Sequence, residues 1–178
     1  RYKTPEIVKD ISGIILGVVG TFDERVDIEL LEFILKNIEE AILLLVGPIQ
    51  TNLGTLGKHP RVLKVGKRRY EEIPSFIKRF DVALIPYRIN EVTKAVYPVK
   101  LHEYLILGKS VVATDLPELR QFSDIIRIAN TKEKYLNFVR LAVREKDEEI
   151  RQKRITVAKE NSWERRTSQI TEILQKYL

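Results

Sequence analysis

The sequence predicts an α/β fold: three layers, with a parallel sheet of about six strands, helices on both faces and a helical C-terminus. Three observations carry that expectation. Apolar, β-branched runs of four to six residues recur without polar alternation, as strands buried on both faces do. Most of these runs stop at Gly or Pro. Between them lie stretches whose apolar residues return at the helical period, the arrangement of βαβ units.

Taken in order, Ile14 to Val19 reads as the first strand, ended by Gly20. Asp27 to Glu40 reads as a helix with Ile28, Leu31, Leu35 and Ile38 on one face. Ala41 to Val46 is the second strand, closed by Gly47-Pro48, and 51–60 is irregular. Arg61 to Val65 is the third strand, ended by Gly66. Tyr70 to Phe80 is helical, and Pro74 sets its true start near Ile73, because proline suits a first helical turn. Val82 to Ile85 is the fourth strand, followed by a loop to Tyr97, a helix from about Pro98 to Leu107, and a fifth strand, Ser110 to Thr114. A sixth strand is expected within Ile125 to Ala129, and from Lys132 the chain reads as helix to its end. Asn161 followed by Glu164 gives a capping-box start for the last helix. Its apolar positions are Trp163, Ile170, Ile173, Leu174 and Tyr177. That helix either packs on its own domain or reaches toward a neighbouring one.

The 178 residues suit one domain that buries roughly 70% of its unfolded surface. The apolar share of 44% and the charged share of 31% are those of a globular chain. No apolar run nears the ~20 residues of a membrane span, and no signal peptide is evident. There is no cysteine, which removes disulfides and thiolate metal sites and is compatible with a cytoplasmic location. The chain starts at Arg1 and has no methionine, so it reads as part of a longer protein. A net charge of +6 admits anionic partners. Nucleic acid is set aside, since there is no arginine-rich tail, zinc-finger spacing or ribonucleoprotein motif. Membrane association has no clear sequence support.

In a parallel sheet, ligands bind beyond the carboxyl ends of the strands, so the loops there hold the candidates. Gly20 to Arg25 follows the first strand, but it lacks the full dinucleotide glycine spacing and there is no P-loop. Arg25 could reach a diphosphate or simply be exposed. Gly66-Lys67-Arg68-Arg69 could read a base edge and hold phosphate, or be a solvated turn. Lys100 and Glu103 lie on one helical face at i, i+3. The lysine suits phosphate and the carboxylate, an acceptor only, suits two ribose hydroxyls. The same spacing also fits a surface ion pair worth under ~1 kcal/mol. His59 and His102 have no partner pattern, and a metal site is not expected.

Pro98-Val99-Lys100-Leu101-His102-Glu103-Tyr104-Leu105, followed by Gly108-Lys109-Ser110-Val111-Val112-Ala113-Thr114, resembles the donor-binding half of two-domain B-fold glycosyltransferases. The likeness is to the retaining, group 1 sugar transferases. Gly20 to Asp27, Leu45 to Pro48 and Asp81 to Pro86 follow the same template in the same order.

The resemblance implies a Rossmann-like domain that binds a UDP- or GDP-linked sugar without a metal or other cofactor. It implies that Glu103 holds the ribose. The diphosphate would meet Gly20, Arg25, Lys100 and the backbone at Val96, Tyr97 and Val99. Gly66 and Lys67 would read the base. Sugar contacts would come from Asn90, Glu91 or Thr93. Many relatives carry a second glutamate eight positions before the ribose-binding one; here that position is Ala95, and Glu91 lies twelve back. The acceptor site would belong to an N-terminal domain outside this chain, and the last helix would cross back to it. Two other readings share the architecture: a partner-binding module that has lost the ligand, and a nucleotide-sugar epimerase. Nucleotide affinity unchanged by Glu103→Ala would favour the first, and activity without acceptor the second.

Overall fold

The computed structural model describes residues 3–175. The sheet has six parallel strands: β1 (Ile14–Val19), β2 (Ala41–Val46), β3 (Val62–Gly66), β4 (Val82–Ile85), β5 (Ser110–Thr114) and β6 (Arg127–Ala129). Their order is β3-β2-β1-β4-β5-β6, with β3 and β6 at the edges. The direction of winding reverses between β1 and β4, so the connections leaving these two strands diverge and leave a crevice at their carboxyl ends. The helices are α1 (Ile28–Asn37), α2 (Ile73–Ile77), α3 (Glu91–Lys94), α4 (Lys100–Ile106), α5 (Lys132–Arg144), α6 (Glu148–Glu160) and α7 (Trp163–Gln175). α1 and α5 cover one face; α2, α4 and α6 cover the other.

Strands β1, β2, β4 and β5 are almost wholly buried, which accounts for their unbroken apolar sequences. Gly17 is required where it stands: a Cβ there would lie 2.2 Å from the Phe80 ring. Phe80 packs edge-on to Tyr104, and the Tyr104 hydroxyl accepts the Val19 N–H at 2.8 Å. α4 is thereby fixed to the end of β1. The carbonyls at the end of α1 are gathered by Arg61, which donates to Leu35, Ile38, Glu39 and Ala41 at 2.7–3.0 Å.

Several elements differ from the sequence expectation. The predicted loop from Pro86 to Tyr97 contains a turn of helix, α3, closed by a capping box between Asn90 and Thr93. The C-terminal stretch, expected to be helical from Lys132 with a separate start for its last helix, is three helices. It breaks after Arg144, where Glu145 turns inward to pair with Arg154 and Arg127, and Asp147 caps the next helix. Asn161 ends α6 instead of starting α7; the cap of α7 is Ser162, whose hydroxyl accepts the Arg165 N–H at 3.3 Å. The helix expected from Pro98 is regular from Lys100. Tyr177 and the side chains of Trp163 and Glu164 lie outside what is described. Ile170, Ile173 and Leu174 on α7 are more than half exposed. No described helix is long and apolar enough to cross a membrane.

Candidate functional site

The loop after β1 is stitched to both of its neighbours. Phe22 N–H donates to Pro48 O, and Gln50 N–H returns to Phe22 O. Asp27 N–H donates to Pro86 O, and Arg88 N–H to Arg25 O. Gly20 has φ +127, and Gly47 (φ +143) backs so closely onto it that a Cβ on Gly47 would lie 2.0 Å from Gly20 O. Only glycine meets both demands at Gly47. These backbone bonds bring Arg25, Gly20 and the residues after β4 to one place at the point where the sheet order reverses.

Lys100 enters that place from α4. A Cβ on Gly20 would lie 2.7 Å from Lys100 Nζ, and the ammonium sits 4.8 Å from the Tyr87 ring centroid. Arg25 lies over the same ring, its Cζ 5.9 Å from the centroid. Arg25 is also held by Asp23, with Nε donating to Oδ1 at 2.9 Å and Nη2 to Oδ2. That hydrogen bond holds the Asp23 carboxyl below its ordinary range despite partial burial.

The first turn of α4 begins with Leu101 N–H to Pro98 O and His102 N–H to Val99 O. The N–H groups of Val99 and Lys100 precede those bonds and have no partner within the helix. Pro98, buried beneath them, has no N–H to satisfy. Val96 departs from expectation: its N–H donates to Thr93 O at 3.1 Å and is not free for a diphosphate. Tyr97 is turned back on the helix, its hydroxyl bonded to His102 Nε2 and its ring stacked on the imidazole.

One turn on, Glu103 is partly buried. Burial raises its carboxyl above the ordinary value of 4.5, with Lys100 opposing. It opens onto a groove of about 380 Å³ between α2 and α4, with Ile73, Pro74 and Ile77 on one wall and Ile106 on the other. Tyr70, 72% exposed, stands at the rim. Gly66 (φ +74) and the exposed Lys67 open the loop that ends at Tyr70.

The three residues expected at a sugar have different fates. Thr93 is fully buried, its hydroxyl bonded to Arg88 O, so it supports the loop and does not face a ligand. Asn90 accepts the Thr93 N–H as a cap. Glu91 is exposed and paired with Lys94. Sequence reasoning missed Asp23, Tyr70 and Tyr87. The signal for Tyr87 was an aromatic residue two positions past the end of a strand at the reversal of sheet order; Tyr70 closes a basic run.

Strand order and cation cluster together define the class: a doubly wound α/β domain of the Rossmann kind, with its polar cluster at the switch point. Within that class the chain belongs to the group 1 glycosyl transferases, whose family model matches residues 13–153. It is 31% identical over 115 residues to the putative teichuronic acid biosynthesis glycosyltransferase TuaH of Bacillus subtilis (strain 168), a match covering 62% of this chain and 29% of TuaH. Its fold is that of one half of HepE from Anabaena, solved in complex with UDP. There the TM-score is 0.77 at 15% identity, over 98% of this chain and 54% of that one. Sucrose-phosphate synthase from Thermosynechococcus elongatus gives a TM-score of 0.75 at 17% identity, over 99% of this chain and 49% of that one. The chain thus spans under a third of the curated relative and about half of these solved chains.

Proposed function

We propose that this chain is the donor-binding domain of a glycosyltransferase that takes a nucleoside diphosphate sugar, UDP- or GDP-linked, and passes the sugar to an acceptor held elsewhere. One observation carries the reading. Lys100 and Glu103 stand a turn apart on α4, with the lysine ammonium over Gly20 at the switch point and the carboxylate at the mouth of an apolar groove. A nucleotide laid along α4 meets each group with matching chemistry. The diphosphate meets Lys100, Arg25 and the N–H groups of Val99 and Lys100. The two ribose hydroxyls donate to Glu103, and the base enters the groove toward Gly66 and Lys67. Glu91, exposed at the start of α3, is the remaining candidate for a contact with the transferred sugar.

Transfer breaks the bond between the anomeric carbon and the distal phosphate oxygen, and negative charge grows on the departing diphosphate. Fixed cations aimed at that charge lower the barrier. In this reading Lys100 and Arg25 carry the neutralisation rather than a metal ion. Family membership and the UDP complex of HepE support the donor class. A further domain that holds the acceptor is supported by the share of its relatives that the chain spans, and the resemblance of the α4 motif would place it before this one. Ile89, Val92 and Val99, exposed near the strand ends, give that domain an apolar surface to meet. Turnover by this chain alone would accordingly be low.

Calorimetric titration with UDP, GDP and ADP, and with their sugars, tests the reading. One nucleotide series should bind. Glu103→Ala should weaken it by ~10–100-fold, the worth of hydrogen bonds to a charged group. Absence of binding to all of them at millimolar concentration would overturn the proposal.

A further inference from the structure

Tyr87 follows the switch-point strand β4, and nothing in the donor reading above uses its side chain. It is 4% exposed. Its backbone is fixed by a bridge to Val26 and by its N–H donating to Thr114 Oγ1 at 3.2 Å, so the ring has a set position. Two cations lie within 6 Å of that ring's centroid: Lys100 at 4.8 Å and Arg25 at 5.9 Å. Two like charges drawn to one place repel each other. A lysine at a helix start also has many rotamers open to it. An aromatic face, negative at its centre, attracts both cations and limits their freedom, while Asp23 fixes Arg25 from another side.

We propose that Tyr87 is a positioning residue whose ring holds Lys100 and Arg25 converged beside Gly20, where both meet the diphosphate of the donor. The role rests on the donor reading above and deepens it. The ring acts through the two cations, and it takes no part in recognising base or ribose. A purely structural tyrosine would stabilise the loop without distinguishing a nucleoside from its diphosphate.

The test is the ratio of two affinities in the full chain: that of the nucleoside diphosphate that binds it, and that of the matching nucleoside. Tyr87→Phe keeps the ring and serves as the reference. Phenylalanine analogues with increasing fluorination are then placed at the same position, which empties the ring face of negative charge at nearly constant size. The diphosphate advantage should fall stepwise, by roughly fivefold to thirtyfold at full fluorination if both contacts are lost. Nucleoside affinity should stay level across the series. In a Lys100→Met background the fall should be shallower. Tyr87→Leu, if it folds, should show the same loss as full fluorination. A flat advantage across the fluorinated series, or nucleoside affinity falling in parallel, overturns the role and leaves the donor reading standing. A native chain that binds the diphosphate no better than the nucleoside removes the donor reading and this role with it.

Discussion

To hold a ribose as proposed, Glu103 would be ionised and accept from two hydroxyls, yet its surroundings favour the proton. Burial raises its carboxyl above 4.5, and Lys100 offsets this only in part. An acid raised in the folded state contributes stability below 4.5 that is lost as pH rises through the raised value. Ligand affinity runs the other way: it should fall as pH drops from neutrality, sooner than for an exposed glutamate. Nucleotide titrations across that range should show the fall in the native chain and a flat, weak response in Glu103→Gln. Gly20 gives a second residue-scale test. An alanine there adds a Cβ 2.7 Å from Lys100 Nζ and forces a positive φ on a residue that disfavours it. Strain of about 1–3 kcal/mol should appear in denaturant melts. Diphosphate affinity should drop by ~10-fold or more as the lysine is displaced, the cost of a charged hydrogen bond.

Among the elements, the turn joining α4 to β5 is tied to the turn joining α2 to β4 by one side chain. Lys109 Nζ donates to Lys78 O at 2.8 Å and to Phe80 O at 2.7 Å. Burial pulls its ammonium down to about 8, with Asp81 opposing and Arg151, Arg79 and Lys78 adding to the fall. Lys109→Met abandons both carbonyls, worth about 1–3 kcal/mol, a loss that removal of the buried charge offsets at neutral pH and that stands uncovered near pH 10.5. Between pH 8 and 10.5 the unfolded lysine still holds a proton that the folded one has shed, so the native chain gains stability there with rising pH. The variant should lack that gain, and urea melts of the two chains across the interval would show it. The elements also mark what the sequence could reveal. β1, β2, β4 and β5 were legible to the residue, because each apolar run meets Gly, Pro or a polar turn at its end. The break at Glu145 was not, because it depends on Arg154 and Arg127 arriving from other parts of the chain. In the candidate site, the placement of Lys100 and Glu103 a turn apart on α4 followed from helical spacing. The pairing of Arg25 with Asp23 and the shared ring of Tyr87 depend on loops joined across three strand ends, and no local pattern records that.

For the whole molecule, strand order does the assembling. Because the sheet reverses between β1 and β4, residues from the first loop, the fourth strand's exit and α4 share one crevice, though they are up to eighty positions apart in the chain. The fold supplies the location; under the function proposed, Lys100, Arg25, Glu103 and the Tyr87 ring would make it selective. The sheet's two margins have a quieter consequence. One is three residues long and the other five, carrying the exposed Lys64, whose ammonium donates to Gly57 O. A foreign backbone arriving beside the three-residue margin finds little to pair with, and at the other margin the charge of Lys64 works against pairing, so both edges discourage stacking of one sheet onto another.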